Sequence, residues 1–251
     1  MCKTGQIYRQ IVENKQKGQK MFAWLVDPDK ADEAYLKQHF ELMDTNLPDY
    51  IFLGGSLMTQ NLLDSCIKQL KKLTDIPIVI FPGSPNQIHP DADGILLLSL
   101  ISGRNPDLLI GRHVEAAPLL KQLDLEVMPT GYMLIESGRL TTAAYMSHSN
   151  PIPRNKPEIA ACTAMAGDLL GLRFIYLDAG SGAEYPVSTE MIAAVRKATD
   201  LPIIVGGGIC NHHHLTAAYE AGADVVVMGN VFEKNQALLG KVLDQLNTQA
   251  S

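Results

Sequence analysis

The chain has 251 residues, 46 % of them hydrophobic and 19 % charged, with a net charge of −6. This excludes a disordered or fibrous protein and suits one large α/β domain spanning 1–251. The acidic balance and the lack of any basic stripe argue against a nucleic-acid partner. No apolar leader or bilayer-length stretch is written. The four cysteines, Cys2, Cys66, Cys162 and Cys210, include no CxxC pair, which reads as a reducing, cytoplasmic setting rather than a zinc or disulfide framework.

In chain order, residues 4–16 carry Ile7, Tyr8, Ile11 and Val12 on one helical stripe; with the rest of 1–20 they are expected to cap the bottom of the fold. Short apolar runs follow: FAWLVD (22–27), YIFLGG (50–55), PIVIFPG (77–83), GILLLS (94–99), LEVMPTGYMLI (125–135), RFIYLDAG (173–180), PIIVGGG (202–208) and DVVVMGN (224–230). Most are continuous rather than alternating, as in strands covered on both faces. Eight runs separated by helical patterns predict a single (β/α)₈ TIM barrel. Ser188 and Asn211 stand as N-caps of helices over 188–198 and 211–221, with Gly222 as the stop of the second.

Two segments break the alternation. Only PGSPNQIHPDAD lies between Phe81 and Gly94, too short for a crossover helix. Either the third helix is replaced by an irregular segment, leaving an apolar opening in the outer ring, or one strand is misassigned. Residues 136–157, polar and Pro-rich at their end, are expected to form a lid-like loop.

The chemistry concentrates at strand ends. Tyr176-Leu177-Asp178-Ala179-Gly180-Ser181-Gly182, Gly206-Gly207-Gly208 and Gly229-Asn230 close the last three strands. Glycine lets backbone N–H groups approach an anion, and barrels commonly bind phosphate after strands seven and eight. The alternative is that these glycines only make tight turns. Asp27-Pro28-Asp29-Lys30 ends the first strand, where a carboxylate suits a hard cation such as Mg²⁺ shared with substrate phosphates. It also suits an ordinary turn with Asp29 as helix N-cap, and both readings can hold together. The Ser56 hydroxyl, after Gly54-Gly55, is placed to complete a metal site beside Asp27. His212-His213-His214 opens a helix, where successive side chains diverge, and reads as a solvated helix start. Trp24 reads as core.

These pieces, with IFPGSP (80–85), MPTGYMLI (128–135) and PIPRNKP (151–157), resemble the geranylgeranylglyceryl phosphate synthase family, which includes the bacterial heptaprenylglyceryl phosphate synthases, over nearly the whole chain. The resemblance implies Mg²⁺-dependent transfer of a prenyl group, geranylgeranyl for preference, from its diphosphate to the terminal hydroxyl of sn-glycerol 1-phosphate. It implies Asp27 and Ser56 as metal ligands. Tyr176, Leu177, Asp178, Ala179, Gly180, Ser181, Gly182, Gly207, Gly208, Gly229 and Asn230 would hold the glycerol phosphate. For the mechanism, Asp178 stands at the right strand end to orient the acceptor's hydroxyl or take its proton, and Tyr132 is expected to help order the site or the lid. The resemblance further implies an absent third barrel helix, an apolar groove for the prenyl chain, contact with a membrane surface and a homo-oligomer. The chain departs from the family's pattern twice. Asp178 stands where many members have Glu, and Leu25 where some have Lys, leaving Arg154 or Lys156 to supply positive charge. The rival readings are a phosphosugar or flavin barrel with the same phosphate cup, and a non-catalytic barrel that binds a phospholigand.

Overall fold

The computed structural model describes residues 5–43, 47–60 and 62–229. Eight parallel strands close a barrel in sequence order: β1 (Met21–Val26), β2 (Tyr50–Leu53), β3 (Ile78–Ile80), β4 (Gly94–Leu100), β5 (Glu126–Leu134), β6 (Phe174–Asp178), β7 (Ile203–Gly206) and β8 (Val225–Met228), with β8 pairing back onto β1. Several strands are shorter than their apolar runs because those runs end in glycines that leave the ladder, whereas β4 runs one residue past its own. Gly54-Gly55, Pro82-Gly83 and Gly207-Gly208 lie beyond their strands. Successive side chains alternate between two layers. Met21, Ala23, Phe52, Val79, Met128, Phe174, Ile204 and Val225 fill the barrel interior. Phe22, Trp24, Ile51, Ile78, Ile175 and Val226 face outward onto the helices. Trp24 is therefore core of the outer layer, stacked against His39 and edge-on to Phe40. A fully buried aliphatic or Phe side chain in either layer contributes ~1.5–3 kcal/mol.

The helices are α1 (Gln6–Gln16), α2 (Glu33–Met43), α3 (Leu63–Leu73), α4 (Arg112–Leu120), α5 (Thr142–Ser147), α6 (Pro157–Leu169), α7 (Thr189–Ala198) and α8 (His212–Ala221). Ser188 caps α7 and Asn211 caps α8, each accepting the N–H three residues on; Gly222 ends α8 in the left-handed conformation. Both β3 and β4 stand in the barrel with no helix between them, so the misassigned-strand alternative falls and the helix that would follow the third strand is absent. In the next connection, after β4, a π-helical turn, Asp107–Gly111, leads into α4. Helix α1 sits at the N-terminal end of the barrel. Its first N–H groups, on Ile7 and Tyr8, donate to the buried Glu126 carboxylate at the start of β5 at 2.8 and 2.9 Å. A side chain more than a hundred positions away thus supplies the cap that α1's own N-cap residue, Gly5, lacks.

Two expectations are corrected. Residues 136–157 are not a uniform loop. Thr141 caps α5 by accepting from Ala144 N–H, Ile135 and Ile152 pair as an isolated bridge, and α6 starts at Pro157. Asp29 caps no helix. Tyr35 N–H at the start of α2 donates to Asp32 at 2.8 Å, whereas Asp29 accepts from Thr59 Oγ1 at 2.8 Å and from the Thr59 and Gln60 N–H groups. It ties the β1 loop to the β2 loop, and those bonds hold its carboxyl below the usual carboxylate range.

Candidate active site

The parity of each strand decides what reaches the barrel mouth. On β1, Met21, Ala23 and Leu25 point inward, so Asp27 continues on the inner side just past the strand end. On β6 the inward set is Phe174, Tyr176 and Asp178; on β5 it is Met128, Tyr132 and Leu134. Leu177 and Ala179 face outward into the helix layer, so only their backbone can serve a ligand. A cavity of about 390 Å³ occupies the mouth. Its walls include Asp27, Lys30, Gly54, Gly55, Ser56, Phe81, Tyr176, Asp178, Gly180, Ser181, Gly182, Gly207, Gly208 and Gly229. The sequence-predicted residues on the first, second, sixth, seventh and eighth strand ends therefore converge on one chamber. Asn230 lies outside the described residues.

Close approach explains the glycines of the cup. Gly207 has φ +81°, and a Cβ there would stand 2.5 Å from the Gly180 nitrogen, so the loops after β6 and β7 fit together only without a side chain. On the other side Gly54, at φ +146°, lies so close to the Phe81 carbonyl that a Cβ would collide with it. Gln87, buried in the irregular segment, accepts from Gly83 N–H at 2.9 Å and donates to Gly55 O. These contacts hold the ends of β2 and β3 side by side without a third helix.

Asp178 is the buried carboxylate of the cup, 7 % exposed. One carboxylate oxygen accepts from Gly180 N–H at 2.7 Å and the other from the Tyr132 hydroxyl. Burial pushes its carboxyl above the usual range, and the two hydrogen bonds offset only part of that. Burial and the neighbouring Asp178 charge push both Tyr132 and Tyr176 well above the usual phenol value, so both stay protonated. Tyr176 stacks on Phe81 at 5.2 Å between centroids and meets Tyr132 edge-on at 5.4 Å.

A second cavity of about 490 Å³ adjoins the first and shares Gly55, Ser56 and Phe81 with it. Its lining is mostly apolar, with Ile88, Ile95, Leu97, Leu98, Leu100, Leu108, Ala116, Leu120, Tyr132, Leu134, Ala143 and Met146, but also includes Asn86, Arg112, His113 and Glu115. Ile95 and Leu97 are outward-facing residues of β4, whereas Leu98, Leu100 and Leu134 face inward. The groove therefore runs from the mouth onto the barrel's flank, where a third helix would otherwise lie.

The positive charge of the first chamber comes from Lys30 and Arg139 rather than from the expected Arg154 or Lys156. Arg154 donates to Pro186 O and lies over the Tyr185 ring, while Lys156 is 3.7 Å from Glu158. Arg139 comes from the β5–α5 segment, which packs over the cup because Ser137 O accepts from the N–H groups of both Glu184 and Tyr185. Its guanidinium reaches to 3.4 Å from the point a Gly182 Cβ would occupy. Sequence reading missed it because one arginine in a polar stretch has no periodicity to betray its direction. Thr142, Ile209 and Cys210, also in the wall, were missed likewise. Of the triple histidine, His212 contacts Thr216 Oγ1 at 3.1 Å and His214 Nδ1 lies 3.2 Å from Gly208 O. No three His, Cys, Asp or Glu side chains gather as a metal cage among the described residues.

The model of the PcrB family matches residues 10–248. A protein of Chitinophaga pinensis named geranylgeranylglyceryl phosphate synthase is 48 % identical over 244 residues, covering 97 % of each chain. One of the same name from Thermococcus gammatolerans is 39 % identical over 251 residues, covering 99 % of this chain and 98 % of its own. The crystal structure of (S)-3-O-geranylgeranylglyceryl phosphate synthase from Thermoplasma acidophilum in complex with sn-glycerol-1-phosphate superposes with a TM-score of 0.89 at 28 % identity, over 96 % of this chain and 98 % of that one. With a matching fold, a glycine-lined mouth and relatives aligned almost end to end, the chain belongs to the PcrB family, among relatives named geranylgeranylglyceryl phosphate synthase.

Proposed function

We propose that this barrel joins a prenyl diphosphate, geranylgeranyl diphosphate for preference, to the terminal hydroxyl of sn-glycerol 1-phosphate, releasing diphosphate and leaving a prenylglyceryl phosphate ether. The observation that carries the reading is the meeting of two unlike cavities at the barrel mouth: a glycine-lined, polar chamber and an apolar groove that share Gly55, Ser56 and Phe81. The chamber suits a small phosphorylated polyol and the groove an isoprenoid chain. A phosphosugar or flavin barrel has no use for the groove.

In this reading the backbone N–H groups of Ser181, Gly182, Gly207-Gly208 and Gly229 cradle the acceptor's phosphate, while that of Gly180 stays on Asp178, and Arg139 closes over the phosphate. Asp178 then faces the acceptor's hydroxyl. Its Tyr132 and Gly180 hydrogen bonds fix the carboxylate's direction, and its raised affinity for a proton suits it to take the one the hydroxyl loses. Fixing the two substrates in line is worth about 7–11 kcal/mol of the barrier.

Asp27 and Ser56 are the residues that would hold a Mg²⁺ ion, with Asp27 Oδ1 accepting from Asp29 N–H at 3.1 Å and Oδ2 3.4 Å from Lys30 Nζ, a cation the diphosphate would draw to itself. A Cβ at Gly55 would lie 4.0 Å from Asp27 Oδ1, so the carboxylate faces the loop that carries Ser56. A site with few protein carboxylates suits a cation that takes its other ligands from diphosphate and water. Mg²⁺ there would neutralise the leaving diphosphate. The reading carries with it a cytoplasmic protein that meets its donor at a membrane surface and works as a homo-oligomer. Among the described residues, no helix is long and apolar enough to cross a membrane.

The test is product formation by purified protein with labelled glycerol 1-phosphate, Mg²⁺ and prenyl diphosphates of several lengths. Ether product that disappears with EDTA is expected. Glycerol phosphate binding with no turnover at any prenyl length would favour a non-catalytic barrel. Asp27→Ala with undiminished turnover would remove the metal assignment.

A further inference from the structure

If the two cavities hold donor and acceptor, the carbon that changes partners lies where they meet. Of the residues shared by both cavities, Gly55 has no side chain and Ser56 brings a hydroxyl; Phe81 alone brings a ring. Phe81 follows Val79 on the inward parity of β3, so its side chain points into the mouth. Three contacts hold it there. Its N–H donates to Leu53 O at 2.9 Å, its carbonyl packs against Gly54, and its ring stacks on Tyr176 at 15°. Tyr132 meets the same ring edge-on, at 5.9 Å between centroids.

The reaction read for this site makes a demand at that point. As the allylic C–O bond breaks, its electron pair leaves with diphosphate and positive charge spreads over the allyl unit. The acceptor oxygen then bonds to the terminal carbon and its proton passes to Asp178. A polar side chain beside the cation would compete with the acceptor as nucleophile, and so would water. An aromatic ring carries negative potential on its face, attracts a cation within about 6 Å and offers no lone pair to trap it. We infer that the ring of Phe81 stabilises the allylic cation at the junction of the two cavities, and is a catalytic residue of this barrel rather than only part of its wall.

The inference rests on the prenyl-transfer reading, and its test separates the two. Phe81 is replaced, by site-specific incorporation in the full chain, with 4-fluoro-, 3,4-difluoro- and 3,4,5-trifluorophenylalanine. These keep the ring's shape while draining its face of negative potential. Single-turnover rate constants for ether formation are measured at saturating substrates, with glycerol 1-phosphate affinity measured alongside. The rate constant is expected to fall stepwise with each fluorine, by about tenfold across the series, with acceptor affinity unchanged. The same series at Phe52, which neighbours Phe81 at 6.5 Å but lines neither cavity, is expected to be flat. Equal rate constants across the Phe81 series, or Phe81→Leu with the wild-type single-turnover rate, would overturn the ring's role and leave the prenyl-transfer reading standing. Absence of ether product from the unsubstituted protein would overturn both.

Discussion

Asp178 shows how one side chain trades stability for chemistry. Its carboxyl is held above the usual range by burial, so it contributes most to stability when protonated. That contribution is complete below the unfolded carboxylate value and is lost as pH rises through the raised folded value. Asp178→Asn removes the charge, and Tyr132 can turn its hydroxyl to accept from the new amide. Thermal unfolding should therefore show the Asn variant gaining on the wild type as pH rises through that window, while turnover at neutral pH falls by about 10²–10⁴-fold. Wild-type turnover should drop on the acid side at a pH above the ordinary carboxylate value. Arg139 makes a different demand. Arg139→Ala should weaken glycerol 1-phosphate binding about tenfold with a smaller effect on turnover, and titration calorimetry should find the gap narrowed at high salt. The acidic and glycine positions of the cup were legible because Asp27, Asp178 and the glycines sit at the ends of recognisable strands. Arg139 and Phe81 were not, because their roles depend on which way a loop folds back and which cavity a strand end faces.

At the scale of elements, the eight runs and their helical spacers announce the barrel, but the twelve residues between Phe81 and Gly94 suit either a missing helix or a misassigned strand, and only the parallel pairing of β3 with β4 decides for the missing helix. The short helix α5 was hidden because 136–157 is too polar to show a stripe, although Thr141 three residues before Ala144 carries a capping pattern. The cap of α1 was illegible in principle. Glu126 reaches Ile7 and Tyr8 only once the barrel has closed, and nothing local in 4–16 announces a distant carboxylate. Glu126→Ala should lower stability by about 1.5–3 kcal/mol, a drop of about 3–12 °C in the melting temperature. Activity at room temperature should persist, because the residue lies at the opposite end of the barrel from the mouth.

For the whole molecule, the division of labour between chamber and groove sets substrate choice. Ala116 on α4 lines the groove, and Ala116→Trp should fill part of it. Steady-state assays should then show long prenyl donors losing more activity than short ones, with the glycerol 1-phosphate KM unchanged. The missing helix has a further consequence for traffic. A product with a phosphate at one end and a long hydrocarbon at the other cannot leave cheaply through a polar mouth, since each methylene drawn into water costs ~0.8 kcal/mol. The gap on the flank gives the tail a sideways route. A bilayer laid against that flank would take up the hydrocarbon as the groove gives it up, so the tail would pass between two oily phases without wetting. Release would then be governed by the area of lipid on offer, and multiple-turnover rates should climb with added vesicles while the first turnover stays the same.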